Sequence, residues 1–185
     1  MILREKLTVM QSAEIERNLR MLAEKIIEHC KGCVESLYLI GIRKGGDEIA
    51  VRLKGIINEV TGFEPELGII DITLYRDDVL TLEQPQVGAT EISGDVNGKI
   101  VVLIDDVLYS GRTVRAALDL LTDYGRPKAI RLAVLVDRGL RELPIQADFA
   151  ARVIPTSPGE RVEVVLDEDR DKERVVIYAI EEEQD

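Results

Sequence analysis

The residues best suited to chemistry stand in one stretch: Val101-Val102-Leu103-Ile104-Asp105-Asp106-Val107-Leu108-Tyr109-Ser110-Gly111-Arg112-Thr113. An apolar, β-branched run leads into two adjacent carboxylates, Asp105 and Asp106. A small loop with two hydroxyls, Ser110-Gly111-Arg112-Thr113, comes next, and Val114, Leu118 and Leu121 then recur at helical spacing. A buried strand would hold such a loop rigidly. The start of the helix leaves several backbone N–H groups unpaired. Together with the hydroxyls and the positive end of the helix dipole, they form a seat for a phosphate monoester. Carboxylates repel phosphate but accept hydrogen bonds from hydroxyls, so their place at the strand end predicts a sugar phosphate. The plainer reading is an ordinary turn at Asp105-Asp106 with Ser110 or Thr113 capping a helix. Two carboxylates directly before a hydroxyl–Gly–basic–Thr loop favour the ligand seat.

Two other phosphate-binding patterns fit less well. Gly94 to Lys99 superficially suggests a P-loop, but Ser93 stands where the first glycine belongs, and the segment precedes a strand where a P-loop follows one. No dinucleotide-type G-x-G-x-x-G pattern is present.

The elements that must position the seat are legible as periods. Ile15, Leu19, Leu22, Ile26 and Ile27 predict a first helix, with Ser12 as N-cap and Gly32 as its stop. Leu37 to Ile42 predicts a buried strand feeding the turn Gly41-Ile42-Arg43-Lys44-Gly45-Gly46. Ile49, Leu53, Ile56, Ile57 and Val60 predict a second helix capped by Asp47. Leu67 to Tyr75 is strand-like, and 76–91 is a polar stretch expected to be a functional loop or β-arm. Ile100 to Ile104 is a strand, the helix after Gly111 ends at Tyr124-Gly125-Arg126-Pro127, and Ile130 to Val136 is a further strand. Beyond Pro144, Phe149–Ile154, Val162–Leu166 and Arg174–Ile180 read as short strands at the sheet edge or in a small subdomain. The alternation predicts an α/β fold with a central parallel sheet. Ligands bind at the carboxyl ends of such strands, where the loops 41–46, 105–113 and 137–141 converge.

Length and composition bound the rest. The 185 residues suit a single domain, 1–180, with an acidic tail at 181–185. A formal charge of −11 argues against a non-specific nucleic-acid binder, although a local basic patch is compatible with it. Apolar runs such as Ile100–Ile104 stop far short of the ~20 residues of a bilayer span. No secretory signal is visible in Met1–Met10, so a cytoplasmic location and no membrane contact are expected. Cys30 and Cys33 lie at the C-terminal end of a helical pattern, where the dipole disfavours a thiolate. No second cysteine pair completes a zinc site, so reduced structural or surface thiols are expected.

The 101–113 segment resembles the phosphoribosyl pyrophosphate (PRPP) motif of type I phosphoribosyltransferases. Asp71-Ile72-Thr73-Leu74-Tyr75-Arg76-Asp77-Asp78, Leu135-Val136-Asp137-Arg138-Gly139, Arg141-Glu142-Leu143-Pro144-Ile145 and Ile154-Pro155-Thr156-Ser157 resemble, in the same order, the pyrimidine operon regulator (PyrR) family. The resemblance spans about residues 9–180. It implies a type I phosphoribosyltransferase fold with a small hood and a flexible arm near 76–91. It implies uracil phosphoribosyltransferase activity, uracil plus PRPP giving UMP and pyrophosphate with Mg²⁺, combined with binding of pyrimidine-operon leader mRNA in transcription attenuation. It also implies a homo-oligomer, a dimer or larger.

Residue by residue, the resemblance gives Asp105 and Asp106 the ribose hydroxyls of PRPP, directly or through Mg²⁺, and gives the 5′-phosphate to Ser110, Gly111, Arg112 and Thr113 within the binding segment Asp105–Thr113. Arg43, Lys44, Gly45 and Gly46 become the pyrophosphate loop. Tyr75 and Arg76 open the arm. Asp137, Arg138 and Val162 lie near the nucleobase, and Arg141 and Arg152 are the cations left for RNA. Arg43, Lys44, Arg76, Asp105 and Asp106 form the catalytic set. The sequence departs from the family at three places: Gly45 where the family usually has Arg within Thr-Arg-Gly, Leu140 where it usually has His, and Glu24 where it usually has His on the first helix. Two functions remain open from sequence: an enzyme, or a UMP- or UTP-sensing RNA-binding regulator that turns over little or no substrate.

Overall fold

A computed structural model describes residues 2–77 and 88–181. Most of the expected arm and the last four residues of the expected tail lie outside the described residues. The elements in order are β1 (Ile2–Gln11), α1 (Ser12–His29), β2 (Leu37–Ile42), α2 (Gly46–Thr61), β3 (Glu66–Ile70), β4 (Ile100–Leu108), α3 (Arg112–Tyr124), β5 (Ala129–Asp137), β6 (Phe149–Val153), β7 (Glu160–Val165) and β8 (Arg174–Glu181).

Five strands form a parallel sheet in the order β3-β2-β4-β5-β6. Its central strands are apolar on both faces because helices cover both. Leu37, Leu39, Val102 and Ile104 pack with Leu19 and Leu22 of α1 and Leu53 and Ile57 of α2. Their neighbours Tyr38, Ile40, Val101 and Leu103 point the other way, onto Val114, Ala117 and Leu121 of α3. This period of two decides where the carboxylates go. Ile104 faces α1 and α2, so Asp105 faces the α3 side and Asp106 the α2 side.

A second sheet, antiparallel in the order β1-β8-β7, forms the hood. Val162, Val175 and Ile177 join it to the main core. Arg52 of α2 fastens the same corner. Its guanidinium bonds Glu173, at 2.9 and 3.1 Å, and Glu16 of α1, at 2.7 Å.

Four sequence expectations need correction. β1 was not anticipated: most of it is exposed, with Arg4, Glu5 and Lys6 interrupting its pattern, and its strand character comes from pairing with β8 at the far end of the chain. The strand expected over Leu67–Tyr75 stops at Ile70. The Asp71 carboxylate accepts the Thr73 N–H at 2.8 Å and turns the chain into a 3₁₀ segment, Thr73–Tyr75. Strand β4 runs on to Leu108, so both carboxylates lie within the strand, near its end. The caps shift as well. Gln11 precedes α1, with Glu14 accepting its N–H at 3.2 Å, and Gly45 precedes α2, its N–H donated to Asp47 Oδ1 at 3.0 Å.

Candidate ligand site at the carboxyl end of the parallel sheet

The loops after β2, β4 and β5 meet at one end of the sheet, because these three strands are neighbours there and run the same way. The first carries Arg43, Lys44, Gly45 and Gly46. The Arg43–Lys44 peptide is cis. Gly46 packs so tightly on β4 that a Cβ there would stand 2.3 Å from the Ile104 carbonyl oxygen. Gly45 has φ +97°, and its Cβ would stand 2.8 Å from Asp106 Cγ. Both positions therefore need glycine, and the backbone of this loop lies directly against the carboxylate of β4.

Asp105 is buried, with 4% of its surface exposed. Its Oδ1 accepts the Asp106 N–H at 3.0 Å, and Asp106 Oδ1 accepts the Val107 N–H at 2.7 Å. Burial, and after it the charge of Asp106, pushes the Asp105 carboxyl well above the ordinary carboxylate range. Burial also raises Asp106. A cation or a set of ligand hydroxyls would relieve this pair.

The second loop runs from Tyr109 to Gly111 and enters α3. Among the described residues, the backbone N–H groups of Tyr109, Ser110, Gly111 and Thr113 donate to no protein acceptor, while the Arg112 N–H reaches Ser110 Oγ at 3.3 Å. The carbonyls of this loop are engaged on its other side. Ser110 O accepts from the Glu142 and Leu143 amides at 3.0 and 3.1 Å, and Tyr109 O from Arg141 at 2.9 Å. With its carbonyls held on one side, the loop turns its amides to the other. A cavity of about 340 Å³ opens there, lined by Asp105, Tyr109, Ser110, Thr113 and Arg76 among others. Amides and hydroxyls at a helix N-terminus beside two carboxylates can seat an anion joined to a hydroxyl-rich group.

The third loop contributes struts. Arg141 donates to Ile145 O at 2.9 Å, Gly139 O at 3.1 Å and the Asp137 carboxylate at 2.6 Å, in addition to Tyr109 O. Asp137 also accepts the Gly139 N–H at 2.9 Å. Arg138 is buried. It donates to Thr156 Oγ1 at 2.9 Å and to the carbonyls of Ser157 and Glu160 at 3.2 and 2.7 Å, with its guanidinium 4.3 Å from the centre of the Tyr109 ring. Burial lowers its pKa, with the charges of Tyr109 and Glu160 opposing the shift.

The structure thus brings Asp105, Val107, Leu108, Tyr109, Ser110, Gly111, Arg112, Thr113 and Arg76 around one cavity, with Asp106 behind it against Gly45. The Arg112 side chain turns to Glu142, at 2.7 Å, and to Asp77. Lys44 is exposed, and Arg43 lies 3.7 Å from both Asp47 and Glu91. Val162 is buried in the hood, and Arg152 is exposed on the edge strand β6. The sequence reading missed the stacking of Arg138 on Tyr109 and the support given by Glu142. It also missed Asp71, for which the spacing Asp-x-Thr before a polar loop is the available signal, since it marks a side-chain-capped turn.

The donor set bears on magnesium. Among the described residues, no group of three or more His, Cys, Asp or Glu could hold a metal ion. The buried Asp105 and the half-buried Asp106 suit Mg²⁺ carried by a phosphorylated ligand, since this ion commonly takes one or two protein carboxylates and completes its shell with substrate oxygens and water. The residues fit the ion in that form.

Comparison with known proteins agrees with this geometry. The phosphoribosyl transferase domain model matches residues 8–168. The bifunctional protein PyrR of Pelotomaculum thermopropionicum is 54% identical over 175 residues, covering 94% of this chain and 96% of that protein. Its counterpart in Thermoanaerobacter sp. (strain X514) is 50% identical over 173 residues, covering 93% and 97%. Among solved structures, the hypoxanthine phosphoribosyltransferase of Trypanosoma cruzi shares the fold, with a TM-score of 0.70 at 18% identity over 96% of this chain and 98% of that one. A sheet with its cradle after β4, and relatives at this identity along nearly the whole chain, place the protein in the phosphoribosyl transferase domain family and, within it, in the PyrR family.

Proposed function

We propose that this chain transfers the 5-phosphoribosyl group of PRPP to uracil, yielding UMP and pyrophosphate. The observation that carries the reading is the row of undonated amides at the head of α3, opening into a cavity that Asp105 also lines. The amides of Tyr109, Ser110, Gly111 and Thr113 and the two hydroxyls hold the 5′-phosphate. Asp105 and Asp106 take the ribose hydroxyls. A pyrimidine nitrogen attacks C1′ as pyrophosphate departs, so positive charge grows on the ribose and negative charge on the leaving group. Arg43, Lys44 and Arg76 supply cations for that leaving group. Mg²⁺ on PRPP, held at Asp105 and Asp106 through hydroxyls or water, would add Lewis-acid neutralisation of the pyrophosphate. Asp137, Arg138 and Val162 form the base end, with Arg138 stacked on the Tyr109 ring and bonded to the Ser157 and Glu160 carbonyls at the start of β7. No side-chain nucleophile is needed.

A second role, regulation of pyrimidine genes through leader mRNA, is supported by the relatives' description as bifunctional. Of the two cations assigned to RNA, Arg141 is engaged beneath the cradle, which leaves Arg152 as the exposed one. Assembly into dimers or larger oligomers and a cytoplasmic location belong to the same proposal. Among the described residues, no helix is long and apolar enough to cross a membrane.

The test is turnover. Purified protein with Mg²⁺, PRPP and uracil is expected to form UMP and pyrophosphate. If it binds UMP but forms none, the sensing role replaces the enzymatic one. A gel shift with a pyrimidine-operon leader RNA, weakened by salt, tests the regulatory half.

A further inference from the structure

We infer that Asp71 is a positioning residue for Arg43, fixing the wall against which the Arg43 guanidinium faces the departing pyrophosphate. The inference rests on the transferase reading above and deepens it.

The two residues leave the sheet side by side. Ile42 pairs with Ile70 at the ends of β2 and β3, and the Arg43 N–H donates to Ile70 O at 2.9 Å. Arg43 and Asp71 are therefore the first residues of two adjacent loops. The Asp71 carboxylate ties both stems of the longer loop: Oδ1 accepts the Thr73 N–H at 2.8 Å, and Oδ2 the Gly88 N–H at 2.7 Å. The neck is closed further by Thr90 Oγ1, which accepts the Asp71 N–H at 3.1 Å, and by the two-way bridge between Ile69 and Glu91.

Gly88 lies between the two side chains. A Cβ on it would stand 2.6 Å from Asp71 Oδ2 and 3.2 Å from Arg43 Nη1. The absence of a side chain at residue 88 is thus what lets the guanidinium lie along the neck. Burial pushes the Asp71 carboxyl up, but the hydrogen bonds from Thr73 and Gly88, together with the Arg43 charge, outweigh it and hold the carboxyl below its ordinary value.

Arg43 itself is held by charge at longer range. Its ion pairs to Asp47 and Glu91 are both 3.7 Å long, beyond hydrogen-bond reach, and its buried Nε has no hydrogen-bond partner. A guanidinium kept in place by surrounding carboxylates, with neither ion pair at hydrogen-bond distance, can turn its terminal nitrogens to an incoming anion. Remove the Asp71 charge and the neck loses the acceptor that pins Gly88, so Arg43 loses its wall. The phosphate cradle at 109–113 has its own struts in Arg141 and Glu142 and does not depend on Asp71.

The experiment compares Asp71→Asn and Gly88→Ala with the unaltered protein in steady-state turnover of PRPP and uracil, with UMP binding measured by calorimetry. Asp71→Asn is expected to raise the KM for PRPP on the order of tenfold, the scale of one charged hydrogen bond, with a smaller change in kcat and the Kd for UMP unchanged. Gly88→Ala approaches the same contact from the other side and is expected to move the same constant in the same direction. An unchanged PRPP KM in both variants overturns the inference. So does a matching loss of UMP affinity, which would mark Asp71 as a general structural residue. An unaltered protein that forms no UMP overturns the transferase reading itself and the inference with it, and that control separates the two failures.

Discussion

Gly45 faces Asp106 so closely that any side chain at residue 45 would collide with the carboxylate: its Cβ would lie 2.8 Å from both Cγ and Oδ2. The PyrR resemblance sets an arginine at this position. In this chain the loop backbone has φ +97°, and the Asp106 carboxylate occupies the space where that side chain would begin. The positive charge of the loop is supplied by Arg43 and Lys44 on its β2 side. Gly45→Arg is therefore expected to impair the protein. It combines a strained backbone, costing about 1–3 kcal/mol, with a displaced Asp106. Urea denaturation checks the stability, and the KM for PRPP checks the displacement. A variant as stable as the parent with tighter PRPP binding would show that the loop adopts another course.

Asp105 and Asp106 are predicted to trade stability for binding. Asp105→Asn should weaken PRPP binding by about 1.5–3 kcal/mol in calorimetry, the value of a charged hydrogen bond. The same change should stabilise the unliganded fold near neutral pH. A carboxyl whose folded pKa is raised contributes stability that is fully present below its unfolded pKa and is lost as pH rises through the folded one. The Tm advantage of Asp105→Asn over the parent should therefore be larger at about pH 8 and shrink toward about pH 4, the ordinary carboxylate value. A Tm difference independent of pH would show that the Asp105 carboxyl titrates normally.

Arg52 and Glu173 form the buried pair that holds α2 to the start of β8, their side chains 8% and 1% exposed. Removing one partner leaves the other charge buried and uncompensated. Arg52→Ala is expected to cost about 3–5 kcal/mol in denaturant unfolding. A loss below about 1 kcal/mol, the scale of exposed pairs, would mean that water reaches the site.

Arg141 and Arg152 are expected to separate the two proposed roles. Arg141→Ala removes the donor that anchors the carbonyl of Tyr109 and the Asp137 carboxylate, so UMP affinity should fall on the order of tenfold, the effect of one lost charged hydrogen bond. Arg152→Ala touches nothing in the cradle and should leave UMP formation unchanged while reducing the salt-sensitive shift of leader RNA. Equal effects of Arg152→Ala on both assays would place the RNA contact in the same site.

The stretch from Ile100 to Tyr124 was legible because its pattern changes sharply, from a β-branched run to acidic residues, to a small polar loop, to helical spacing. Each change carries its own local physics, and topology alone placed the three loops at one end of the sheet. Strand β1 was not legible, since its residues alternate poorly and only pairing with β8 makes them a strand. Asp47 was expected as the cap of α2, but Gly45, two residues earlier and with no side chain to announce it, occupies the cap, and Asp47 instead accepts its N–H. Arg138 and Arg141 show the wider limit. As sequence they are cations near a ligand loop. In the fold Arg141 reaches the carbonyl of Tyr109, and Arg138 reaches Thr156, Ser157 and Glu160 while its guanidinium meets a tyrosine face, contacts no local pattern encodes.

The proposed transfer requires that the undonated amides of Tyr109, Ser110, Gly111 and Thr113 grip a phosphate while the carboxylates of β4 hold the adjoining sugar. Titration of ¹⁵N-labelled protein with UMP and, separately, with uridine tests it directly. UMP is expected to shift the amide resonances of Tyr109, Ser110, Gly111 and Thr113, and uridine, lacking the phosphate, to leave them in place. Equal shifts with both ligands, or none with UMP, would contradict it.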